Sequence, residues 1–209
     1  MTIIFNTAPQ GSPEWLQARV GVCTASRFKD ALDLDKKGNP SAKCMGYAFD
    51  LARQRAGGTV PEIYVNAAMR TGTEQEPLAR MAYEAHTGHF LEEVGFAHTD
   101  DMKFGVSVDS LIDDDGVWEC KTMVSSATLF KAVVDRDISE YRQQCVGALW
   151  LLHRQWCDLT LWAPDLPRPL FIERIQRDDN EIFELEAGLM KFERLVSELT
   201  AKLLARQAA

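Results

Sequence analysis

The stretch Asp109-Ser110-Leu111-Ile112-Asp113-Asp114-Asp115-Gly116-Val117-Trp118-Glu119-Cys120-Lys121 decides the reading of this chain. It has the pattern of a β-hairpin. Asp109 ends an apolar run over residues 104–108, Asp113-Asp114-Asp115-Gly116 is turn chemistry, and residues 117–121 form the return strand. Side chains on a strand alternate faces, so Glu119 and Lys121 share one face and Cys120 takes the other. A carboxylate and an ammonium two residues apart, with an Asp from the partner strand beside them, can hold a divalent metal next to a cation. That combination suits phosphodiester hydrolysis. Carboxylates bind Mg²⁺, the bound water becomes more acidic, and the lysine orients the nucleophile or screens the phosphate. E-x-K also recurs by chance, so the pattern alone leaves open an ordinary charged hairpin facing solvent. An EF-hand-like calcium loop does not fit, because counting back from Gly116 puts the first ligand position on Leu111.

Four blocks in order extend the reading. The first is Gly11-Ser12-Pro13-Glu14-Trp15-Leu16-Gln17-Ala18-Arg19-Val20-Gly21-Val22-Cys23-Thr24-Ala25-Ser26, and the second is Thr71-Gly72-Thr73-Glu74-Gln75-Glu76-Pro77-Leu78-Ala79-Arg80. The third is Gly105-Val106-Ser107-Val108-Asp109-Ser110-Leu111 with Glu119-Cys120-Lys121. The fourth is Tyr141-Arg142-Gln143-Gln144-Cys145-Val146-Gly147-Ala148-Leu149-Trp150. Together they resemble the phage lambda exonuclease, or YqaJ-like viral recombinase, group of the PD-(D/E)xK nuclease superfamily. The likeness is to that group's W-x3-R-x-G-x-x-T-A-S start, its G-x-x-x-E helix, its Asp and E-x-K strands and its Y-x-x-Q-x-x-x-x-x-W helix. It runs from about residue 11 to about residue 166. The chain departs from the family at one place. The usual S-P-D-G-L is here Ser107-Val108-Asp109-Ser110-Leu111, so the Pro and Gly that shape the backbone around the ligand are gone and the Asp stays.

The resemblance implies an α/β fold with a restriction-endonuclease-like core, a mixed β-sheet flanked by helices. It implies metal ligation by Asp109, Glu119 and the backbone carbonyl of Cys120, with Glu76 as a further ligand or water-orienting carboxylate, and Lys121 as catalytic lysine. Arg19, Thr24 and Ser26 resemble the family's 5′-phosphate pocket, Ser107 its phosphate contact, and Gln144 projects toward the same cleft. The implied activity is Mg²⁺-dependent 5′→3′ digestion of one strand at double-stranded DNA ends, with Mn²⁺ able to substitute. The implied products are 5′-mononucleotides and 3′ overhangs. The implied assembly is a homotrimer working with a single-strand annealing protein.

The residues themselves leave rival roles open. Glu76 with Arg80 four residues on could be a surface ion pair. Arg19, Thr24 and Ser26 could be a capped helix with a nearby arginine, although a guanidinium and hydroxyls at a helix start already form a plausible anion site. His86 and His89 flank the helix-breaking Thr87-Gly88 and lack further ligands at metal spacing, so they read as structural or exposed. Trp150, Trp156 and Trp162 lie in apolar runs and read as core, whereas Trp15 borders the phosphate block.

At 209 residues the chain fits a single nuclease domain with a substantial core. It divides into a helical part at about 1–88, a catalytic sheet core at about 89–177 and an amphipathic helix at about 178–206. A hydrophobic fraction of 46% and a charged fraction of 26% are those of a soluble globular protein, and no apolar run is long enough to span a membrane. The start lacks signal-peptide features, and five scattered cysteines suit a reducing cytoplasm, here that of a bacterial cell hosting a phage or prophage. The net charge of −8 argues against a generic DNA-coating protein. The charge is uneven, however: residues 1–80 carry 10 Lys+Arg against 8 Asp+Glu, and residues 81–209 carry 13 against 23. A DNA surface would then draw on the first part plus Lys121, Lys131, Arg136 and Arg142.

Local signals place helices over about 11–18 with Ser12 as cap, from Thr24 to about Leu34, over about 41–56, from Asn66 to about His86, near 126–134 and over about 138–153. Strands are expected at about 89–97, 103–109, 116–122, 156–163 and 169–176. In the last segment Ile182, Leu185, Leu189, Phe192, Val196, Leu199 and Leu203 alternate spacings of 3 and 4, which suits packing on its own domain or a subunit contact. Two rivals to the exonuclease reading stand. One is another nuclease of the superfamily, an endonuclease or a RecB-like module. The other is a non-catalytic DNA-end-binding recombination scaffold, which would have no use for Asp109, Glu119 and Lys121 together.

Overall fold

Apolar residues in the middle of the chain build a five-stranded sheet whose central strand has one apolar core on each face. The structure, a computed structural model, describes residues 2–59 and 67–207. The strands are β1 (Ile3–Asn6), β2 (Cys23–Thr24), β3 (Leu91–Glu92), β4 (Phe96–Thr99), β5 (Phe104–Val106), β6 (Ser110–Ile112), β7 (Gly116–Thr122), β8 (Trp156–Trp162) and β9 (Leu170–Gln176). The helices are α1 (Pro13–Ala18), α2 (Phe28–Ala31), α3 (Ala42–Arg55), α4 (Ala67–Thr87), α5 (Ser126–Leu129), α6 (Ser139–Leu152) and α7 (Asp179–Gln207). A π-helical turn at Phe130–Val134 follows α5.

The α/β class stands, with the strands divided between two mixed sheets. One has the order β1-β4-β5-β2 and the other β3-β6-β7-β8-β9. The hairpin read from the sequence is β6 and β7, paired antiparallel with Ser110 opposite Trp118 and Ile112 opposite Gly116. Beyond it β7 runs parallel to β8 over its whole length, from Gly116 opposite Trp156 to Thr122 opposite Trp162, the crossover being made by α5 and α6. Val117 joins the larger core with α3, α6 and α7, whereas its neighbour Trp118 joins a second core with Ala79 and Tyr83 of α4, Leu91, Ile112 and Trp162. Both faces of the central strand are therefore buried.

Several expected boundaries move. The strand expected at 89–97 is two strands in two sheets, separated at Gly95. A Cβ on Gly95 would stand 2.0 Å from the Asn6 carbonyl oxygen, so only glycine lets β1 lie there. β1 itself was not expected. The helix expected from Thr24 to Leu34 is a 3-10 turn at Ala25–Arg27 followed by the four residues of α2. Thr24 is extended and its side chain does not cap that turn; instead it belongs to a short strand parallel to β5. The cap expected at Asn66 lies outside the described residues. Ser12 does cap α1, accepting a bond from the Trp15 N–H at 3.2 Å.

The C-terminal helix packs on its own domain. Ile182, Leu185, Leu189, Phe192 and Val196 are buried, and Phe192 stacks on Tyr47 of α3 with ring centres 5.4 Å apart. Fully burying each such side chain is worth about 1.5–3 kcal/mol. Trp150 and Trp162 are buried as expected, while Trp156 lies half-buried between Arg174 and His89. No helix among the described residues is long and apolar enough to cross a membrane.

Candidate active site

The carboxylates converge because the chain changes sheets at Asp109. β5 ends at Val106 in one sheet and β6 begins at Ser110 in the other, leaving Ser107-Val108-Asp109 as the bridge. Pairing of β6 to β7 stops at Ser110 and Trp118, so the edge of β7 beyond Trp118 is open. Asp109 takes that place, its Oδ2 accepting the Cys120 N–H at 2.7 Å. The N–H and C=O of a strand residue lie on the same edge, so the Cys120 carbonyl also faces the edge that Asp109 occupies. Asp109 was expected as the last residue of a strand; it is a linker residue pinned to the middle of its neighbour.

Glu119 and Lys121 share the α6 side of β7. Lys121 Nζ donates to Glu119 Oε1 at 2.7 Å, and Gln144 on α6 donates its amide N–H to the same oxygen. Glu119 is only 2% exposed. Glu76 comes from α4. The surface pair with Arg80 does not form, since Arg80 reaches Glu93 at 2.9 Å and Glu84 at 3.6 Å. The Glu76 carboxylate feels the charges of Asp109 and Lys121 and, more weakly, those of Glu93 and Arg80.

Burial pushes Glu119 up to about 7, with the neighbouring Asp109 adding to the rise and Lys121 opposing it. Burial likewise raises Glu76 to about 7, again helped by Asp109. Asp109 is raised by burial against the pull of Lys121 and the Cys120 N–H. For Lys121 burial works downward, but Glu119 and Asp109 together outweigh it and hold the ammonium charged. Three carboxylates against one ammonium leave excess negative charge in a partly buried site. Their oxygens are hard donors of the kind Mg²⁺ or Mn²⁺ takes. Among the described residues no group of three or more His, Cys, Asp or Glu side chains is gathered closely enough to hold a metal ion. Asp109, Glu119, Glu76 and the Cys120 carbonyl are nonetheless oxygen donors of the chemical type a hard divalent ion takes.

A pH dependence follows. Glu119 and Glu76 titrate at about 7 in the fold against an ordinary 4.5. With folded values raised, their contribution to stability is present below the unfolded value and is lost as pH rises through about 7. Metal binding needs the ionised forms and so competes with protons. The melting-temperature rise caused by Mg²⁺ is expected to be small near pH ~5.5 and to grow through pH ~7 to a plateau near pH ~8. An Mg²⁺ effect equal at both ends of that range would refute the assignment.

Ser107 connects these residues to a corner formed by Arg19 and Trp15. Its Oγ accepts Arg19 Nη1 at 2.8 Å and Trp15 Nε1 at 3.0 Å, which leaves the hydroxyl proton to donate outward. The Arg19 guanidinium lies 4.1 Å from the Trp15 ring centre and 5.3 Å from that of Phe96. Burial lowers Arg19 to about 10. The parallel pairing of Thr24 with Gly105 brings the Thr24-Ser26 segment beside β5, where the two hydroxyl oxygens stand 3.4 Å apart. Thr24 is buried and Ser26 exposed. Two residues were missed or left open in the sequence. Trp15 anchors both Ser107 and Arg19, and the Tyr47 hydroxyl accepts the Thr24 N–H at 3.0 Å. The Trp in the first block was the available signal; Tyr47 had none.

The outer basic residues are less free than expected. Arg142 is held by both oxygens of Glu181 at 2.7 Å, and Lys131 lies 3.5 Å from Asp137. His89 contacts Asp113 at 2.8 Å, away from the carboxylates.

None of the curated proteins matches the sequence. Among solved structures, the fold is similar to an alkaline exonuclease, LHK-Exo, from Laribacter hongkongensis, with 36% identity and a TM-score of 0.81 over 94% of this chain and 98% of that one. LHK-Exo in complex with dAMP matches at 35% identity and a TM-score of 0.82, over 94% of this chain and 98% of that one. A phage related exonuclease from Haemophilus somnus 129PT shares the fold at 14% identity and a TM-score of 0.67, covering 89% and 96% of the two chains. Residues 14–155 match the model of the YqaJ-like viral recombinase domain, a span that takes in Arg19, Glu76, Asp109, Glu119, Lys121 and Gln144, and the chain belongs to that family.

Proposed function

We propose that this protein is an Mg²⁺-dependent 5′→3′ exonuclease that digests one strand of linear double-stranded DNA, releasing 5′-mononucleotides and leaving a 3′ overhang. Family membership and the exonuclease relatives support a phage-type exonuclease. One observation carries the finer reading. The Arg19–Ser107 corner is joined to Asp109 by two residues of chain, which span about 7 Å at most. A terminal phosphate at Arg19 would therefore set the next phosphodiester beside the carboxylates.

Arg19, with its planar fork, and the outward-donating Ser107 hydroxyl hold the terminal 5′-phosphate, with Thr24 and Ser26 at its edge. A bound divalent ion supplies an acidified water and a counter-charge for the phosphate. Lys121, kept charged by Glu119, screens the scissile phosphate and orients the attacking water, and Gln144 fixes the Glu119 carboxylate. Water adds to phosphorus and the bond to the 3′ oxygen breaks. The first nucleotide then leaves with its own 5′-phosphate and a 3′-hydroxyl. The shortened strand keeps a new 5′-phosphate, the group that the corner binds for the next cut. A homotrimer, cooperation with a single-strand annealing protein, and work in the cytoplasm of a bacterial host complete the reading by family resemblance.

The test is direct. Linear 5′-phosphorylated duplex is expected to be degraded faster than the 5′-hydroxyl form, and closed circular duplex to remain intact. EDTA should stop the reaction, and Mn²⁺ should restore it. Efficient cutting of closed circles would favour the endonuclease rival and leave the carboxylate site standing without the end-directed reading. Binding of DNA ends with no cleavage under any divalent ion would favour the scaffold.

A further inference from the structure

We infer that Gln54 and Arg55, at the end of α3, are positioning residues for the 5′-phosphate corner and act on it through Gly21; the inference rests on the pocket reading above. Gly21 lies between Arg19 and Thr24 and has a φ of +76°, a conformation that suits glycine. Its N–H donates to Gln54 Oε1 at 2.8 Å and its carbonyl accepts Arg55 Nε at 2.7 Å. Two consecutive helix residues thus hold both polar groups of one residue 33 and 34 positions away. A Cβ on Gly21 would stand 3.0 Å from Arg55 Cγ, so the clamp closes tightly on the backbone.

The clamp is itself anchored. Arg55 Nη1 and Nη2 donate to the two carboxylate oxygens of Glu193 on α7 at 2.7 and 2.9 Å, and Ser197 Oγ donates to Glu193 at 2.9 Å. The pair is mostly buried, with side-chain exposures of 19% and 6%. Buried ion pairs add little stability relative to well-packed apolar residues, whereas they do fix direction. Direction is what this corner needs. Arg19 caps α1, and the Val22 N–H donates to the Arg19 carbonyl at 3.1 Å, so Gly21 lies inside the turn that carries Arg19 toward Ser107. Further along, Tyr47, also on α3, holds the Thr24 N–H. The loop that carries the corner is therefore gripped twice by one helix, and a displacement of an ångström would cost binding there.

The experiment compares kcat/KM on linear duplex bearing a 5′-phosphate or a 5′-hydroxyl, together with the melting temperature. Gln54→Leu leaves the Gly21 N–H unpaired, whereas Gln54→Glu keeps an acceptor. Gln54→Leu is expected to lower the preference for phosphorylated ends about fivefold to tenfold, through KM, as loss of one neutral hydrogen bond allows. Gln54→Glu should return the preference to within about twofold of wild type. Arg55→Met strands the buried Glu193 charge and can fail to fold, so Gln54 carries the test. An unchanged preference in Gln54→Leu would overturn the clamp, as would an equal loss on both end types. A wild type indifferent to the 5′ group would overturn the pocket reading itself, and is measured first.

Discussion

Asp109→Asn is expected to lower turnover by about 10³-fold or more while the protein stays folded, because several kcal/mol of charge stabilisation leave with one carboxylate. Asn keeps an oxygen for the Cys120 N–H, the bond that holds the linker to β7. It removes a buried charge that raises both Glu119 and Glu76, so the metal-free protein should melt no lower than wild type. The Mg²⁺-induced rise in melting temperature should shrink in the same variant. These three readouts separate the site from the fold. Activity within about tenfold of wild type, a change of only about 1.4 kcal/mol, would show that Asp109 is structural.

Arg19→Ala is expected to slow digestion of 5′-phosphorylated ends by about 10- to 100-fold, the size of a lost charged hydrogen bond, and to change 5′-hydroxyl ends by less than about threefold. Arg19→Lys should not restore the rate, because an ammonium cannot reproduce the planar fork over Trp15 and toward Ser107. Burial lowers Arg19 only to about 10, so the guanidinium is charged at neutral pH and the wild-type preference for phosphorylated ends should be flat between about pH 7 and pH 9, above the second ionisation of the phosphate. Equal slowing of both end types would move Arg19 from end recognition to general DNA affinity.

The β6–β7 hairpin was legible because turn chemistry and alternation agree over residues 110–121. The buried Trp150 and Trp162 and the apolar stripe of α7 were legible for the same reason: local pattern and tertiary burial coincide. What escaped depends on partners remote in sequence. Residues 104–108 read as continuous strand, yet the chain leaves one sheet after Val106 because β6 must pair with β7 in the other. Gly95 divides another run because Asn6 approaches it, a contact spanning most of the first sheet's sequence. Thr24 looks like a helix cap, but its pairing with Gly105 keeps it extended. In the candidate site the residue types were legible. The sharing of Glu119 Oε1 between Lys121 and Gln144, and the anchoring of Ser107 by Trp15, required the fold.

The two apolar cores on opposite faces of β7 have a consequence for how such an enzyme can be altered. Glu76 rides on a helix seated in the smaller core, with Tyr83, Trp118 and Trp162, while the corner at Arg19 is framed by the larger one. On the proposed function, substitutions in the smaller core would shift Glu76 while the corner at Arg19 keeps its own support. For directed evolution, speed and end selectivity would on that reading be separately adjustable traits, each with its own set of mutable positions.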